Sequence, residues 1–288
     1  MLPFLLFASA LAPTTSTQPH PEQRALQQEL RRGLQAGSAG SAACLAECDS
    51  GTDYFPEKLS SQYSTGWDVT YTNTYKVIEG PSIGKIVAYQ CGCAAPNVSD
   101  ATVTLQVPLR SATLLSTTFI TLLELIGERD AIVGVSDPDA VSSPCLREAI
   151  EAGNVATVSA SNVTTINAAG ADAVFAGSWQ VSSLAGTTGA VIPVAETAER
   201  TGLGAAEWVE FMALFFNQES AVPDHIAQVA ARIEDAKTAV QESGSEVKQV
   251  LWVYEYFGSL YTGSCPNYYC DAVREAGGQL VDLSGERS

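Results

Sequence analysis

The stretch "VPLRSATLLSTTFITLLELIGERDAIVGVSD", residues 107–137, decides the fold of this chain. It leaves an apolar strand pattern through five Ser and Thr residues and enters a helix pattern. Four apolar residues of that helix share one face, at positions i, i+3, i+4 and i+7: Phe119, Leu122, Leu123 and Ile126. Gly127 ends the helix pattern, and "AIVGVS" then has the composition of a short buried strand. The stretch therefore predicts a strand–helix–strand unit.

The same alternation continues along the chain. Helix patterns cover residues 144–153 and 204–217, helical turns cover 162–171, and strand patterns cover 155–159, 172–177 and 190–195. Upstream, residues 67–78 and 85–91 read as a β-hairpin around a Gly-Pro-Ser-Ile-Gly turn, and residues 101–109 read as a third strand. Repeated strand–helix units build a mostly parallel sheet covered by helices. We therefore predict an α/β fold with a mostly parallel sheet lobe flanked by helices.

The longest helix pattern covers residues 220–243, and Pro223 suits its first turn. One stripe of the helix is apolar and the opposite face is charged; the stripe consists of Ile226, Val229, Ala230, Ile233, Ala236 and Val240. A helix of about 20 residues runs about 30 Å, enough to reach along a whole lobe. Beyond it we expect a strand over 246–258, a helix from Asn267, a Gly pair and the start of another strand.

The N-terminus has the pattern of a signal peptide over residues 1–12, followed by a flexible Cys-containing leader over residues 13–66. The apolar run from Leu2 to Ala12 is too short for a transmembrane helix. The string "ASALAP", residues 8–13, also resembles the cleavage motif of plastid preproteins in algae with secondary plastids. We expect the secretory pathway, with an extracellular, periplasmic or cell-surface destination, and keep a plastid as the alternative.

The seven cysteines favour an oxidising compartment. Six of them form close groupings and are disulfide candidates, with their connectivity left open: Cys44, Cys48, Cys91, Cys93, Cys265 and Cys270. No His lies near these groupings, which disfavours a zinc site. Sequons at Asn97 and Asn162 are glycosylation candidates and suit a secreted protein.

Composition excludes several classes of function. The formal net charge of -17 disfavours nucleic acid, which needs clustered Lys and Arg. Only His20 and His225 are available, so a site for bare zinc is disfavoured as well. The sequence contains no G-x-S-x-G, P-loop or G-x-G-x-x-G motif. We therefore predict no catalytic residue and no intrinsic cofactor or metal.

The order of the motifs resembles the substrate-binding proteins of ABC transporters for iron-siderophores, haem and cobalamin. The resemblance covers about Tyr71 to Asp282 and rests on "TYKVI", "AYQCG", residues 107–137, "VIPVAETAERTGLGAAEWVEFMALFFN" and "YTGSCPNYYCDAVREAGG". It implies two α/β lobes joined by one long helix. The N-terminal ligand-binding lobe would then be 67–218, the connecting helix 219–243 and the start of the C-terminal lobe 244–288. A complete second lobe would need about a hundred further residues, so we expect a fragment, truncated in that lobe.

Ligand sites in open parallel sheets lie beyond the carboxyl ends of the strands. The loops expected at that edge, and across the cleft from it, contain our ligand-binding candidates: Ser116, Thr117, Thr118, Asp137, Trp179, Glu196, Arg200, Tyr256 and Tyr261. Ser116 is expected to cap the following helix. Trp179 would stack on a planar ligand or plug the lobe, and Glu196 would pair with Arg200 or contact the ligand. Trp208, inside an apolar helix, is expected in the core.

The resemblance implies capture of an iron-siderophore or related metal chelate, such as haem or cobalamin. The ligand would be delivered to a membrane permease, so the partners would be a small-molecule chelate and that permease. Two alternatives remain open: a secreted ligand-recognition module of the same fold without a transport role, and an α/β hydrolytic enzyme. A chelated metal needs no ligand from the protein, which fits the scarcity of histidine.

Overall fold

The computed structural model describes residues 44–244, 246–256, 258–262 and 265–281. The predicted signal peptide, 1–12, and residues 13–43 of the predicted leader lie outside the described residues. All described residues belong to one compact unit. Within the described part of the chain, no helix combines the length and the apolar character needed to cross a bilayer.

A four-stranded sheet opens the described chain. Its strands, in spatial order, are β1 (Asp68–Tyr71), β2 (Tyr75–Gly80), β3 (Gly84–Gln90) and β4 (Val103–Val107). The first three pair antiparallel, with Val77 opposite Val87, which confirms the predicted hairpin. Strand β4 instead runs parallel to β3, with Ile86 opposite Val103. The alternation of buried and exposed residues along β2 buries Ile78 against the common core.

A second sheet of five strands is entirely parallel among its described strands. They are β5 (Ala112–Leu114), β6 (Ile132–Val135), β7 (Ala156–Thr157), β8 (Ala173–Gly177) and β9 (Ala190–Val194). Their spatial order is β7-β6-β5-β8-β9, and every pair is parallel. Strand β8 is buried along its whole length, as expected for a sheet covered on both faces. The predicted α/β fold with a mostly parallel sheet is confirmed.

Helices cover this sheet. They are α1 (Thr118–Leu125), α2 (Pro144–Glu151), α3 (Val163–Ala168), α4 (Gly202–Ala206) and α5 (Trp208–Ala213). The prediction of one continuous helix over 204–217 was wrong, because the helix breaks at Glu207 and α5 ends at Ala213. Trp208 is fully buried, as expected, and its ring lies 4.7 Å from that of Phe211. Phe211 in turn contacts Phe215, and both belong to the core that the two sheets share.

The long helix α6 (Pro223–Glu242) has 20 residues and begins at Pro223, close to the predicted start. Beyond it lie β10 (Lys248–Val250), β11 (Val253–Tyr256), β12 (Ser259–Thr262), α7 (Tyr268–Glu275) and β13 (Gly278–Leu280). The single strand predicted over 246–258 was wrong: β10 pairs parallel with β13, whereas β11 forms an antiparallel hairpin with β12. Large apolar side chains stay exposed here, Leu260 at 75% among them.

Two disulfides tie the described part of the leader to the four-stranded sheet. Cys44 pairs with Cys91 and Cys48 with Cys93, and a third disulfide joins Cys265 to Cys270. Gly92, between the disulfide-bonded Cys91 and Cys93, has φ +95. A Cβ there would lie 2.4 Å from the Leu45 carbonyl oxygen. Only glycine therefore fits at this position.

The leader was predicted to be flexible, but its residues 44–66 pack on the core. Phe55 and Leu59 are buried, and Lys76 lies 4.5 Å above the Phe55 ring. The irregular backbone of this segment is therefore held by side-chain contacts and disulfides rather than by strand pairing. Burial of Phe55 and Leu59, in the middle of the segment, helps to compensate the entropy of ordering it.

Candidate ligand-binding site

The chain reverses its direction of sheet growth between β5 and β8. Strands β6 and β7 extend the sheet on one side of β5, and β8 and β9 extend it on the other. Loops that leave β5 and β8 therefore diverge, which opens a crevice at their carboxyl ends. Backbone hydrogen bonds hold the first residues of these loops against the neighbouring strands. Leu115 N–H donates to Phe175 O, and Ser178 N–H donates to Val194 O, each at 2.9 Å.

A hydrogen-bonded chain of three side chains crosses this edge. Thr118 Oγ1 donates to Glu196 Oε1 at 2.8 Å, and Ser116 Oγ lies 2.9 Å from Thr118 Oγ1. Ser116 and Thr118 follow β5, whereas Glu196 follows β9, so the chain spans the end of β8 between them. The structure thus brings together three of the predicted site residues. We call this group the Ser116–Thr118–Glu196 cluster.

Glu196 is buried although it follows an edge strand of the described sheet, with only 9% of its surface exposed. Burial raises the pKa of its carboxyl group; the Thr118 hydroxyl and the backbone amides of Glu196 and Thr197 act in the opposite direction. Its Oε2 atom is buried and has no hydrogen-bond partner in the described structure. The predicted alternative, an ion pair with Arg200, is not formed between these two described residues, and Arg200 is exposed.

The expectation that Ser116 is the N-cap residue of the following helix was wrong. Helix α1 begins at Thr118, so Thr117 occupies the N-cap position, and the Thr117 side chain makes no capping bond in the described structure. Ser116 Oγ instead accepts the Thr118 N–H at 3.4 Å, a long contact. The hydroxyl groups are therefore engaged mainly with each other and with Glu196 rather than with the helix backbone.

Trp179 lies at the centre of this edge, two residues beyond β8, with 65% of its surface exposed. Its ring covers Gly177, where a Cβ would lie 2.6 Å from two ring carbons. Glycine at the end of β8 thus leaves room for the indole against the strand end. Most of the ring is exposed, so stacking on a planar ligand stays a prediction for Trp179.

The remaining predicted residues are more dispersed. Asp137 is exposed and follows β6. Tyr261 is in β12, where it pairs with Tyr254 across the hairpin and stacks on its ring at 5.6 Å. Tyr256 pairs through its backbone with Ser259 at the other end of that hairpin. For Tyr256 and Tyr261, contact with a ligand stays a prediction.

Sequence reasoning missed an aromatic group opposite Glu196. Tyr268 donates its phenol hydrogen to Tyr269 at 2.6 Å, and Tyr269 stacks on Trp252 with ring centroids 4.6 Å apart. Helix α7 packs against α4 and so carries Tyr268 towards Glu196. Burial, Tyr269 and the Glu196 charge together raise the pKa of the Tyr268 phenol to about 12. The available signal was the "CPNYYC" motif, in which Asn267 caps α7 by accepting the Cys270 N–H.

The structure also has two cavities away from this edge. One, of about 550 Å³, lies between the end of α6, β10 and α7, and is mostly apolar. The other, of about 410 Å³, lies between the two sheets near Arg110 and Asp172, at the amino ends of the strands. Among the described residues, no three His, Cys, Asp or Glu side chains converge in a way that could hold a metal ion.

Comparison with known proteins shows the fold of periplasmic solute-binding proteins. No family model matches the chain, and no curated protein matches it. Among solved structures, the petrobactin-binding protein YclQ from Bacillus subtilis matches with a TM-score of 0.50 and 15% identity, over 62% of this chain and 63% of that one. The vitamin B12-binding protein BtuF of Vibrio cholerae matches at 0.48 and 14%, over 62% and 69%.

A third match is an ABC transporter substrate-binding protein from Listeria monocytogenes, with a TM-score of 0.47 and 13% identity, over 62% of this chain and 67% of that one. The chain thus spans about two thirds of the length of the solved proteins it matches. The resemblance inferred from the sequence is confirmed at the level of the fold.

Proposed function

We propose that this protein captures an iron-siderophore or a related metal chelate, such as haem or cobalamin, outside the cytoplasm and delivers it to a membrane permease. The observation that supports this most directly is the edge at the β5–β8 switch point. There the exposed Trp179 follows β8, and the residues of the Ser116–Thr118–Glu196 cluster follow the strands on either side of it, β5 and β9. An aromatic surface next to a few polar groups is the usual composition of a small-molecule site.

The chemistry of these residues suits binding better than catalysis. The cluster contains hydroxyl and carboxyl groups but no imidazole, so a Ser–His–acid triad cannot be built from it. A chelate brings its metal already coordinated, and the protein needs only to supply shape, stacking and hydrogen bonds. These are the contributions that Trp179, Ser116 and Glu196 can make.

Solved proteins with this fold give indirect support. The neighbours are binding proteins, and one of them is described by its capacity to bind petrobactin. Transfer of that role to this chain rests on the fold, because identity is only 15%. The specific ligand and the permease are therefore parts of the proposal.

A secreted location belongs to the same proposal. Three disulfides join the six cysteines predicted to pair, which suits an oxidising compartment. Both sequon residues, Asn97 and Asn162, are exposed, as an acceptor for a glycan must be. Treatment of the secreted protein with an N-glycosidase, followed by mass measurement, tests glycosylation directly.

A fluorescence titration tests the ligand-capture proposal. Ferric siderophores, haem and cobalamin are added in turn, and tryptophan emission is followed. We expect saturable quenching by at least one of them, and a smaller quench in Trp179→Phe than in the control variant Trp67→Phe, whose replaced ring lies in the core. Equal quenching in both variants would move the site away from Trp179, and the absence of saturable binding by every chelate would overturn the proposed function.

A secreted recognition module without a transport role remains the second candidate, because it needs the same cleft and no permease. Uptake of a radiolabelled chelate by cells with and without the gene separates the two. Loss of uptake on deletion supports transport, whereas unchanged uptake together with binding in vitro supports recognition alone.

A further inference from the structure

The direction of the hydrogen bonds in the Ser116–Thr118–Glu196 cluster determines what it can offer to a ligand. The Thr118 hydroxyl hydrogen is donated to Glu196 Oε1. Thr118 Oγ1 can then only accept from Ser116 Oγ, which lies 2.9 Å away, so the Ser116 hydrogen is also used within the cluster. What remains free on these oxygen atoms is lone pairs. The cluster is therefore an acceptor surface.

Glu196 contributes an oxygen atom that accepts no hydrogen bond in the described structure, although the nearby amides of Glu196 and Thr197 lower the pKa of its carboxyl group. Oε2 is buried without a hydrogen-bond partner, and the residue is 9% exposed. Oε1 of the same carboxyl group accepts from the hydroxyl of Thr118, an exposed residue, so the carboxyl group is one hydrogen bond away from the surface. A buried carboxylate with a free oxygen is stabilised by a hydrogen-bond donor or a positive charge and destabilised by another negative charge.

The net charge of the protein acts in the same direction. Asp137 is exposed after β6, and Arg200 is the basic candidate that follows β9. The whole chain carries a formal net charge of -17, so its field opposes the approach of anions. A ligand with several negative charges would therefore be opposed both by the Glu196 carboxylate and by the field of the whole chain.

We propose that this site selects neutral or positively charged metal chelates that present hydrogen-bond donors to Glu196, over chelates with several negative charges. The inference rests on the proposed function and narrows its ligand class. Glu196 acts as the specificity-determining residue, and Thr118 and Ser116 orient its carboxyl group. Trp179 supplies a stacking surface that does not depend on the charge of the ligand.

Two iron chelates of opposite charge test the proposal. Isothermal titration calorimetry measures the affinity of the protein for each chelate. One is an iron(III) tris-hydroxamate that carries a free ammonium group, and the other is a triply anionic iron(III) tris-catecholate. We expect the cationic chelate to bind at least about tenfold more tightly, since one favourable contact with a partly buried charge contributes on that order. The variant Glu196→Gln keeps the shape of the side chain and should reduce this ratio about tenfold.

A matched control removes the same charge elsewhere. Glu151 ends α2 just before β7, at the opposite edge of the sheet, and is exposed. Glu151→Gln should leave the ratio of the two affinities unchanged, which separates the local effect of Glu196 from that of net charge.

The outcomes distinguish this inference from the function on which it rests. Tighter binding of the tris-catecholate by the wild-type protein would overturn the charge preference and leave the capture of chelates intact. If neither chelate binds, nor haem or cobalamin, the proposed function itself fails. The wild-type ratio decides the inference even if Glu196→Gln does not fold, because it requires no variant.

Discussion

The Glu207 carboxylate accepts the backbone N–H of Ser64 at 2.6 Å, although the two residues lie 143 positions apart in the chain. The same carboxylate accepts the N–H groups of Gln62 and Tyr63 and the Ser61 hydroxyl. Glu199 engages the next part of the loop, with Thr65 and Gly66 donating their N–H groups and Trp208 its indole N–H. Two glutamates thus hold residues 61–66 against the helices.

Replacement of Glu207 should release this loop. In Glu207→Ala, three backbone amides and a hydroxyl lose their acceptor in a partly buried place, so we expect a loss of about 2–4 kcal/mol in the free energy of unfolding. Chemical denaturation followed by tryptophan fluorescence measures it. Glu151→Ala, on an exposed helix end, should cost less than about 0.5 kcal/mol. An equal loss in the two variants would show that the loop is not held by Glu207.

Glu199 should make the free energy of unfolding decrease at acidic pH. Burial raises the pKa of its carboxyl group, but hydrogen bonds from Ser64, Trp208, Thr65 and Gly66 outweigh burial and lower it. A carboxyl group with a lowered pKa contributes stability above its unfolded-state pKa of about 4.3, and that contribution is lost as the pH falls through the folded-state value. The decrease in stability below about pH 4 should be smaller in Glu199→Gln than in the wild type. Parallel pH profiles of the two proteins would contradict this.

Glu210 should have the opposite effect on the pH dependence of stability. It is 5% exposed, and burial together with the nearby Glu207 charge raises its pKa to about 7. Between about pH 4.5 and 7 the folded state binds more protons than the unfolded state, so stability should fall with rising pH, by at most about 3 kcal/mol. Glu210→Gln, which carries no charge at any pH, should remove this decrease and be the more stable protein at pH 8. Denaturant midpoints measured from pH 4.5 to 8 provide the test.

Lys76 and Glu219 form a buried ion pair that links β2 to the chain before α6. Lys76 is fully buried, and its amino group also contacts Leu214 O and Asn217 Oδ1. Burial lowers its pKa to about 8 in spite of the opposing Glu219 charge. Lys76→Met leaves Glu219 buried without its cation, so we expect a cost of about 3–5 kcal/mol.

The double variant Lys76→Met/Glu219→Gln should recover part of this loss, because no unpaired charge is then buried. Equilibrium unfolding of the four proteins in this double-mutant cycle measures the coupling. A double variant as unstable as the sum of the single ones would show that the pair is not coupled.

The pairing of the cysteines can be tested by peptide mapping and thiol labelling. Peptide mapping under non-reducing conditions should link Cys44 to Cys91, Cys48 to Cys93 and Cys265 to Cys270. Cys145 is exposed and free, so one maleimide should add per native chain. A peptide that links Cys91 to Cys93, or uptake of more than one maleimide, would contradict the structure. Cys44→Ser/Cys91→Ser should cost about 2–4 kcal/mol in oxidising buffer.

The local pattern of apolar residues was sufficient to predict the parallel sheet and the edge at which its loops meet. The strand–helix–strand order over residues 107–137 predicted the parallel sheet, since apolar periodicity states which face of each element is buried. It also predicted that loops after β5 and β9 meet at one edge, because the carboxyl ends of parallel strands lie together. The contact between Thr118 and Glu196 confirms that expectation.

Pattern failed where a residue far along the chain decides the outcome. The helix predicted over 204–217 breaks at Glu207, whose side chain is bound to residues 61–64. The strand predicted over 246–258 divides because its two halves find different partners, β13 and β12. The periodicity of apolar residues does not specify which strands pair, nor which distant residues a side chain will bind. Neither the helix break nor the division of the strand could therefore be predicted from it.

By itself, the sequence determined the α/β class, the parallel sheet and the edge at which the hydroxyl cluster lies, because these follow from short-range spacing of apolar residues and from strand direction. Only the tertiary structure decided that Glu196 is buried beneath Thr118, that Lys76 pairs with Glu219 and that Cys44 pairs with Cys91. Each of these joins distant segments, and the free energy of such a contact depends on the burial and geometry that the whole fold creates.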